Sequence, residues 1–190
     1  MALQDTNEIL SVEDYLEGEL ISDIKHEYLG GIVHAMAGGK RRHNLAASNV
    51  TGLFYGALKG KSCRSFNSDS KVRVQLPNQV RFYYPDAQVV CDLDDDDSLF
   101  TDSPVVVVEV LSDSTRRQDL GEKRDAYLTI PSLKVLIIIN PSKVHVNVDR
   151  RKSPGGFDQE QYRQLDQKID LPEIEASLLV SDIYEGITLE

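Results

Sequence analysis

The chain reads as an α/β protein built on a central mixed β-sheet flanked by helices. Three observations predict this. The runs "PVVVVEVL" (104–111) and "KVLIIIN" (134–140) are apolar without alternation, as in strands buried on both faces. Helical spacing over about 116–128 lies between them and makes a strand–helix–strand unit. Ahead of it come period-two patterns such as "KVRVQL" (71–76), which suit antiparallel strands. With no repeat or low-complexity linker, one domain over residues 1–190 is expected.

Each element has a local cause. "SVEDYLEG" opens with Ser11 and carries Asp14 three residues on, which predicts a short capped helix. "KHEYLGGIVHAM" predicts two short strands around Gly30-Gly31. From His43 to Leu58, Leu45, Ala46, Val50, Leu53, Phe54 and Ala57 recur at helical spacing, and Gly60 follows. "KVRVQL" and "VRFYYPDAQVVCD" predict strands joined by a turn at "LPNQV"; Pro85, lacking an N–H, marks a strand start or an edge. Thr115 and Gln118 are spaced as a capping box for the helix before "KVLIIIN". "KVHVNVDR" alternates as a half-exposed strand, "KSPGGFD" is a loop, and "SDIYEGI" predicts a short closing helix.

Composition narrows the function classes. With 41% hydrophobic and 27% charged residues, 190 residues suffice for a globular core, which excludes a disordered chain. No apolar run approaches a membrane span, and the start lacks a basic-then-apolar leader, so a cytoplasmic location is expected. Cys63 and Cys91 have no metal or redox spacing and are expected as buried reduced thiols. A net charge of −10 argues against a passive nucleic-acid binder but not against an enzyme with clustered acids. Part of that charge sits in "CDLDDDD" (91–97), which reads as a solvated loop without the glycine and ligand spacing of a calcium site.

The chemically informative stretch is the valine run itself, because Glu109 interrupts it. A buried carboxylate needs a cationic or polar partner, or something to coordinate. Val105, Val107, Glu109 and Leu111 share one strand face, and Asp86 leads its own strand. If the two strands are neighbours, both carboxylates converge at one end of the sheet. On the following helix Asp119, Lys123 and Tyr127 share a face that can lie back over that end. Two carboxylates and a lysine suit metal-assisted phosphodiester hydrolysis. The acids hold Mg²⁺ through hard oxygen ligands, and the lysine orients water or stabilises developing charge.

At these residues the sequence resembles the PD-(D/E)xK nuclease superfamily and, within it, the Uma-two family of restriction-endonuclease-like proteins. The resemblance covers "EYLGGIVHAMAGG", His43-Asn44, "NSDSKVRV", "YYPDAQVVCD", "VVVVEVLSDSTRRQDLGEKRDAY" and "IPSLKVLIIIN". It implies a restriction-endonuclease-like fold and a Mg²⁺-dependent site, with Mn²⁺ as a substitute, acting on DNA. It maps Asp86 onto the first acid, Glu109 onto the second and Lys123 onto the lysine. In the general pattern the lysine stands two residues after the second acid, where this chain has Leu111. The family resemblance implies that the lysine has moved to the next helix.

Other residues stay open at this level. Glu27, within the matched "EYLGG", is either a further metal-side acid or a hydrogen-bonded structural residue. His43 either serves the site or ends a helix. Lys40, Arg41 and Arg42 precede a helix N-terminus, which favours phosphate, and otherwise form a solvated basic turn. Asp69 falls in a matched block without a chemical role. His26, His34 and His145 lack metal-ligand spacing, and strand or surface roles suffice for them. The leading expectation is a Mg²⁺-dependent endonuclease acting on DNA as a homodimer, since cutting two strands takes two sites. Its rivals are an inactive nuclease-fold interaction module and a nuclease acting on RNA.

Overall fold

The computed structural model describes residues 9–92, 97–112, 120–153 and 155–190. Thirteen strands and four α-helices appear among them. Helix α1 (Val12–Leu20) is capped by Ser11, whose hydroxyl accepts the Asp14 N–H at 3.1 Å. The expected hairpin follows as β1 (His26–Leu29) and β2 (Ile32–Ala35). Its turn needs positive φ at both Gly30 (61°) and Gly31 (106°), which favours glycine. Helix α2 (Arg41–Leu58) starts two residues earlier than its apolar spacing suggests.

Two mixed sheets carry the fold. One has the order β2-β1-β5-β4-β7, with β4 (Lys71–Leu76), β5 (Gln79–Tyr83) and β7 (Phe100–Thr101). The other has the order β11-β10-β9-β8-β6-β3. It contains β3 (Arg64–Asn67), β6 (Ala87–Val90), β8 (Pro104–Val110), β9 (Val135–Ile139), β10 (Val146–Arg151) and β11 (Phe157–Tyr162). Within this sheet β8 and β9 are parallel, joined through α3 (Glu122–Leu128), as the strand–helix–strand pattern requires. A ribbon of β12 (Lys168–Leu171) and β13 (Ala176–Leu179) leads into α4 (Val180–Ile183), the expected closing helix.

The valine and isoleucine runs are buried on both faces because a core lies on each side. Val106, Val108, Val110, Val135, Ile137 and Ile139 face α2 through Ala46, Val50 and Phe54. Val107, Leu136 and Ile138 face α3 and the other sheet through Tyr127, Val72 and Tyr83. A third cluster seats Tyr15 of α1 on Tyr28 and Phe82.

Several expectations are corrected. "VRFYYPDAQVVCD" is not one strand: β5 ends at Tyr83, β6 begins at Ala87, and the two belong to different sheets. Tyr84-Pro85-Asp86 is the passage between them, and Pro85 contributes no ladder N–H there. Cys63 and Cys91 are a disulfide, not separate thiols. The antiparallel pairing of β3 with β6 sets Arg64 opposite Val90, which brings the flanking residues 63 and 91 together. The alternating stretch after Asn140 becomes strand only at Val146, and the connection after the aspartate run contains β7. The proposed capping pair Thr115 and Gln118, Asp119, and residues 93–96 of the aspartate run lie outside the described residues. Among the described residues no helix is long and apolar enough to cross a membrane.

Candidate active site

Asp86 immediately precedes β6, which pairs antiparallel with β8. Its Oδ2 accepts the Val110 N–H at 2.7 Å, so the strand carrying Glu109 also positions Asp86. Glu109 is 4% exposed at the end of β8, and its side chain is on the face covered by α3. Its partners make a carboxylate tolerable inside a valine run. Glu109 Oε1 accepts the Tyr127 hydroxyl at 2.8 Å and lies 2.9 Å from Lys123 Nζ. Lys123 and Tyr127 are one helical turn apart on α3, as their spacing requires. Burial, then the charges of Glu109 and Glu27, push the Tyr127 phenol well above its ordinary pKa, so it stays a hydrogen-bond donor.

Glu27 completes the group from the other sheet. Its Oε1 accepts Lys123 Nζ at 2.8 Å. One ammonium therefore ties a carboxylate of β1 to a carboxylate of β8, across the two sheets. The Tyr83 ring lies under the same ammonium, 5.2 Å from centroid to nitrogen. Such burial is tolerable because the charges are paired and hydrogen-bonded.

His43 occupies the first turn of α2, and its Nε2 is 3.4 Å from Asp86 Oδ2. Burial alone lowers the imidazole pKa. The hydrogen bond and charge of Asp86, helped by Asn44 and Glu109, outweigh this and raise it. Gly39 makes room for the imidazole: a Cβ there would stand 2.7 Å from His43 Nδ1 and 2.8 Å from Asn44 Oδ1.

Glu27, His43, Asp86, Glu109 and Lys123 all line one cavity of about 690 Å³. Lys40 and Arg42 are on its rim, whereas the exposed Arg41 is not part of the wall. The expected three-residue basic strip is thus two residues. Arg42 is also already engaged, donating to Ser142 Oγ at 2.9 Å and to Glu190 Oε1 at 2.5 Å. Asp69 stands apart, paired with Lys25 at 2.5 Å.

Two of the histidines expected in strand or surface roles have specific settings. His26 has the strand role: it opens β1, is 1% exposed, and its Nδ1 meets Glu19 Oε1 at 2.7 Å. His34 lines the cavity, directly opposite Glu27 in the β1–β2 register. The signal was present, since a two-residue turn at Gly30-Gly31 fixes that pairing.

The donor set fits a hard divalent cation. Asp86 and Glu109 offer carboxylate oxygens to the same cavity. Among the described residues no three His, Cys, Asp or Glu side chains form a cage of their own.

Comparison with known proteins agrees with this architecture. The family model Uma2, described as "Putative restriction endonuclease", matches residues 12–181. The "Uncharacterized protein slr1290" of Synechocystis sp. is 34% identical over 179 residues, covering 94% of this chain and 93% of that protein. The "Uncharacterized protein sll1609" of the same organism is 28% identical over 138 residues, covering 71% and 77%. A crystal structure from Anabaena variabilis, titled a "putative nuclease belonging to DUF820", superposes with a TM-score of 0.71 at 16% identity. It covers 90% of this chain and 97% of its own, so the two share the restriction-endonuclease-like fold.

Proposed function

Because the chain belongs to the Uma2 family of restriction-endonuclease-like proteins, we propose that it hydrolyses DNA phosphodiester bonds with the help of Mg²⁺ or Mn²⁺. The observation that carries this reading is the Lys123 ammonium held 2.8 Å from Glu27 and 2.9 Å from Glu109, in the cavity that Asp86 also lines. The expected lysine, absent two residues after Glu109, reaches the site from α3 instead.

In this reading Asp86 and Glu109 hold the cation. A bound divalent cation neutralises the phosphate and makes water a better nucleophile. The remaining steps belong to side chains. Lys123, fixed from both sides, directs a hydrogen-bond donor at the attacking water and at the charge that grows on the phosphoryl oxygens. Tyr127 holds Glu109 in one orientation. His43 does the same for Asp86, its Nε2 3.4 Å from Asp86 Oδ2. Lys40 and Arg42 on the rim suit the flanking phosphates of a nucleic-acid strand, near the N-terminus of the 18-residue α2. A homodimer would present two such cavities to the two strands of a duplex.

The test is cleavage of supercoiled plasmid, single-stranded DNA and RNA of the same sequence, with Mg²⁺, with Mn²⁺ and with chelator. Metal-dependent cleavage of DNA that is abolished in Asp86→Asn, Glu109→Gln and Lys123→Met is the expected result. Cleavage of RNA alone would transfer the reading to RNA. No metal-dependent cleavage of any substrate, or equal cleavage by the three variants, overturns it.

A further inference from the structure

We propose that His34 is the proton acceptor for the attacking water, a role that rests on the hydrolytic reading. The other cavity groups are already committed. Glu27 accepts a hydrogen bond from the Lys123 ammonium at 2.8 Å, and Glu109 is ion-paired with it at 2.9 Å. Asp86 accepts the Val110 N–H and faces His43. His43 is engaged as well, its Nε2 3.4 Å from Asp86 Oδ2 and its Nδ1 3.3 Å from Asn44 Oδ1. Arg42 donates to Ser142 and Glu190 and offers no acceptor atom.

His34 differs from all of these. It is exposed, lines the same cavity, and has no hydrogen bond or ion pair among the described residues. Its place is fixed by the backbone. Antiparallel pairing sets it opposite Glu27, and directly opposed residues project from the same face of the sheet. The imidazole therefore stands beside the carboxylate that anchors Lys123, in the cavity that Lys123 also lines. A neutral imidazole is the side chain suited to accepting a proton near neutral pH.

The water oxygen forms a bond to phosphorus as its proton passes to the free nitrogen of His34. The phosphorus–oxygen bond to the departing nucleotide breaks, and its electron pair stays on that oxygen, which takes a proton from solvent. His34 then returns its proton to solvent.

The experiment uses the full chain carrying His34→Ala or His34→Gln. Neither change removes an interaction on which the fold depends. Binding of a duplex oligonucleotide is measured in Ca²⁺, and cleavage in Mg²⁺ with and without added imidazole. The expected result is unchanged DNA binding, cleavage reduced on the order of 10²-fold or more in both variants, and partial recovery of His34→Ala by imidazole. His34→Gln, which still fills the space, should recover less, and Asp86→Asn not at all. Cleavage by His34→Ala within about twofold of the parent overturns the proposal, because general base catalysis supplies far more than that. So does a decrease that follows weakened binding, or one that imidazole does not relieve. A parent protein that cleaves nothing overturns the hydrolytic reading instead, and the role of His34 falls with it.

Discussion

Lys123 Nζ and Glu109 Oε1 lie 2.9 Å apart in a site where both side chains are 6% exposed. Glu27 shares the same ammonium at 2.8 Å, so the group is two carboxylates around one cation. That ratio predicts unequal effects of substitution. Glu109→Gln leaves Lys123 paired with Glu27 and removes a like-charge repulsion, so it should cost much less metal-free stability than removing the shared cation. Lys123→Met strands two buried carboxylates and should cost about 3–5 kcal/mol. Urea denaturation of both variants in chelator measures the difference. Equal destabilisation would mean that Glu27 does not compensate.

Mg²⁺ should raise the melting temperature of the parent protein in a saturable way, since a ligand of the native state stabilises it by mass action. Asp86→Asn and Glu109→Gln each remove one oxygen donor charge and should abolish most of that rise. Thermal melts across a Mg²⁺ titration provide the measurement, and an identical rise in all three proteins would place the cation elsewhere.

Arg42→Glu should weaken DNA binding and lower the slope of log affinity against log salt by about one for every phosphate left unneutralised. Arg41→Glu, off the cavity wall, should do less. Glu190→Gln should act in the opposite direction, because it releases Arg42 from a carboxylate that a phosphate would otherwise have to displace. Fluorescence anisotropy at several salt concentrations separates the three.

Gly39→Ala should displace His43 from Asp86, since the new methyl would stand 2.7 Å from the imidazole Nδ1. Cleavage should fall substantially while thermal stability moves little. The histidine ring resonances report the displacement directly by NMR, and unchanged resonances would show that the first turn of α2 has room to spare.

Acid stability should depend on Glu160, far from the cavity on β11. The Arg150 hydrogen bond lowers its pKa against an opposing effect of burial, and the Tyr162 hydroxyl adds to the lowering. A carboxylate with a depressed folded-state pKa contributes stability that is complete above the unfolded value of 4.5. That contribution disappears as pH falls through the folded value. Glu160→Gln should therefore be less stable than the parent at neutral pH and converge with it in acid, while cleavage stays unchanged. Urea midpoints across pH check the convergence.

Much of the candidate site's grouping was legible before the fold. Two strand patterns and one helical spacing, all local, allowed Asp86, Glu109 and Lys123 to converge, and the family resemblance singled them out; the structure lines one cavity with all three. His34 was legible in principle, because the Gly30-Gly31 turn fixes which residue opposes Glu27. The division into two sheets was not legible. Residues 80–90 are rich in the aromatic and β-branched residues of a single strand, and only tertiary pairing shows that the chain leaves one sheet at Tyr83. The disulfide was hidden for a related reason: β3, "RSFN", is largely exposed or half-buried and lacks the apolar alternation that marks a strand. Nor could His26 be matched with Glu19, since that contact depends on how α1 returns over the hairpin.

The passage Tyr84-Pro85-Asp86 has a mechanical consequence. Glu27 travels with the first sheet, Glu109 with the second, and Asp86 with the three-residue joint between them. The gap between the carboxylates is thus set by the stacking of two layers, and Lys123 works as a clasp across the seam. Remote substitutions that thicken or thin the packing between the layers, at Val74 or Leu136 for example, would be transmitted to the carboxylate spacing. Under the hydrolytic proposal, such spacers would tune activity as the ligands do.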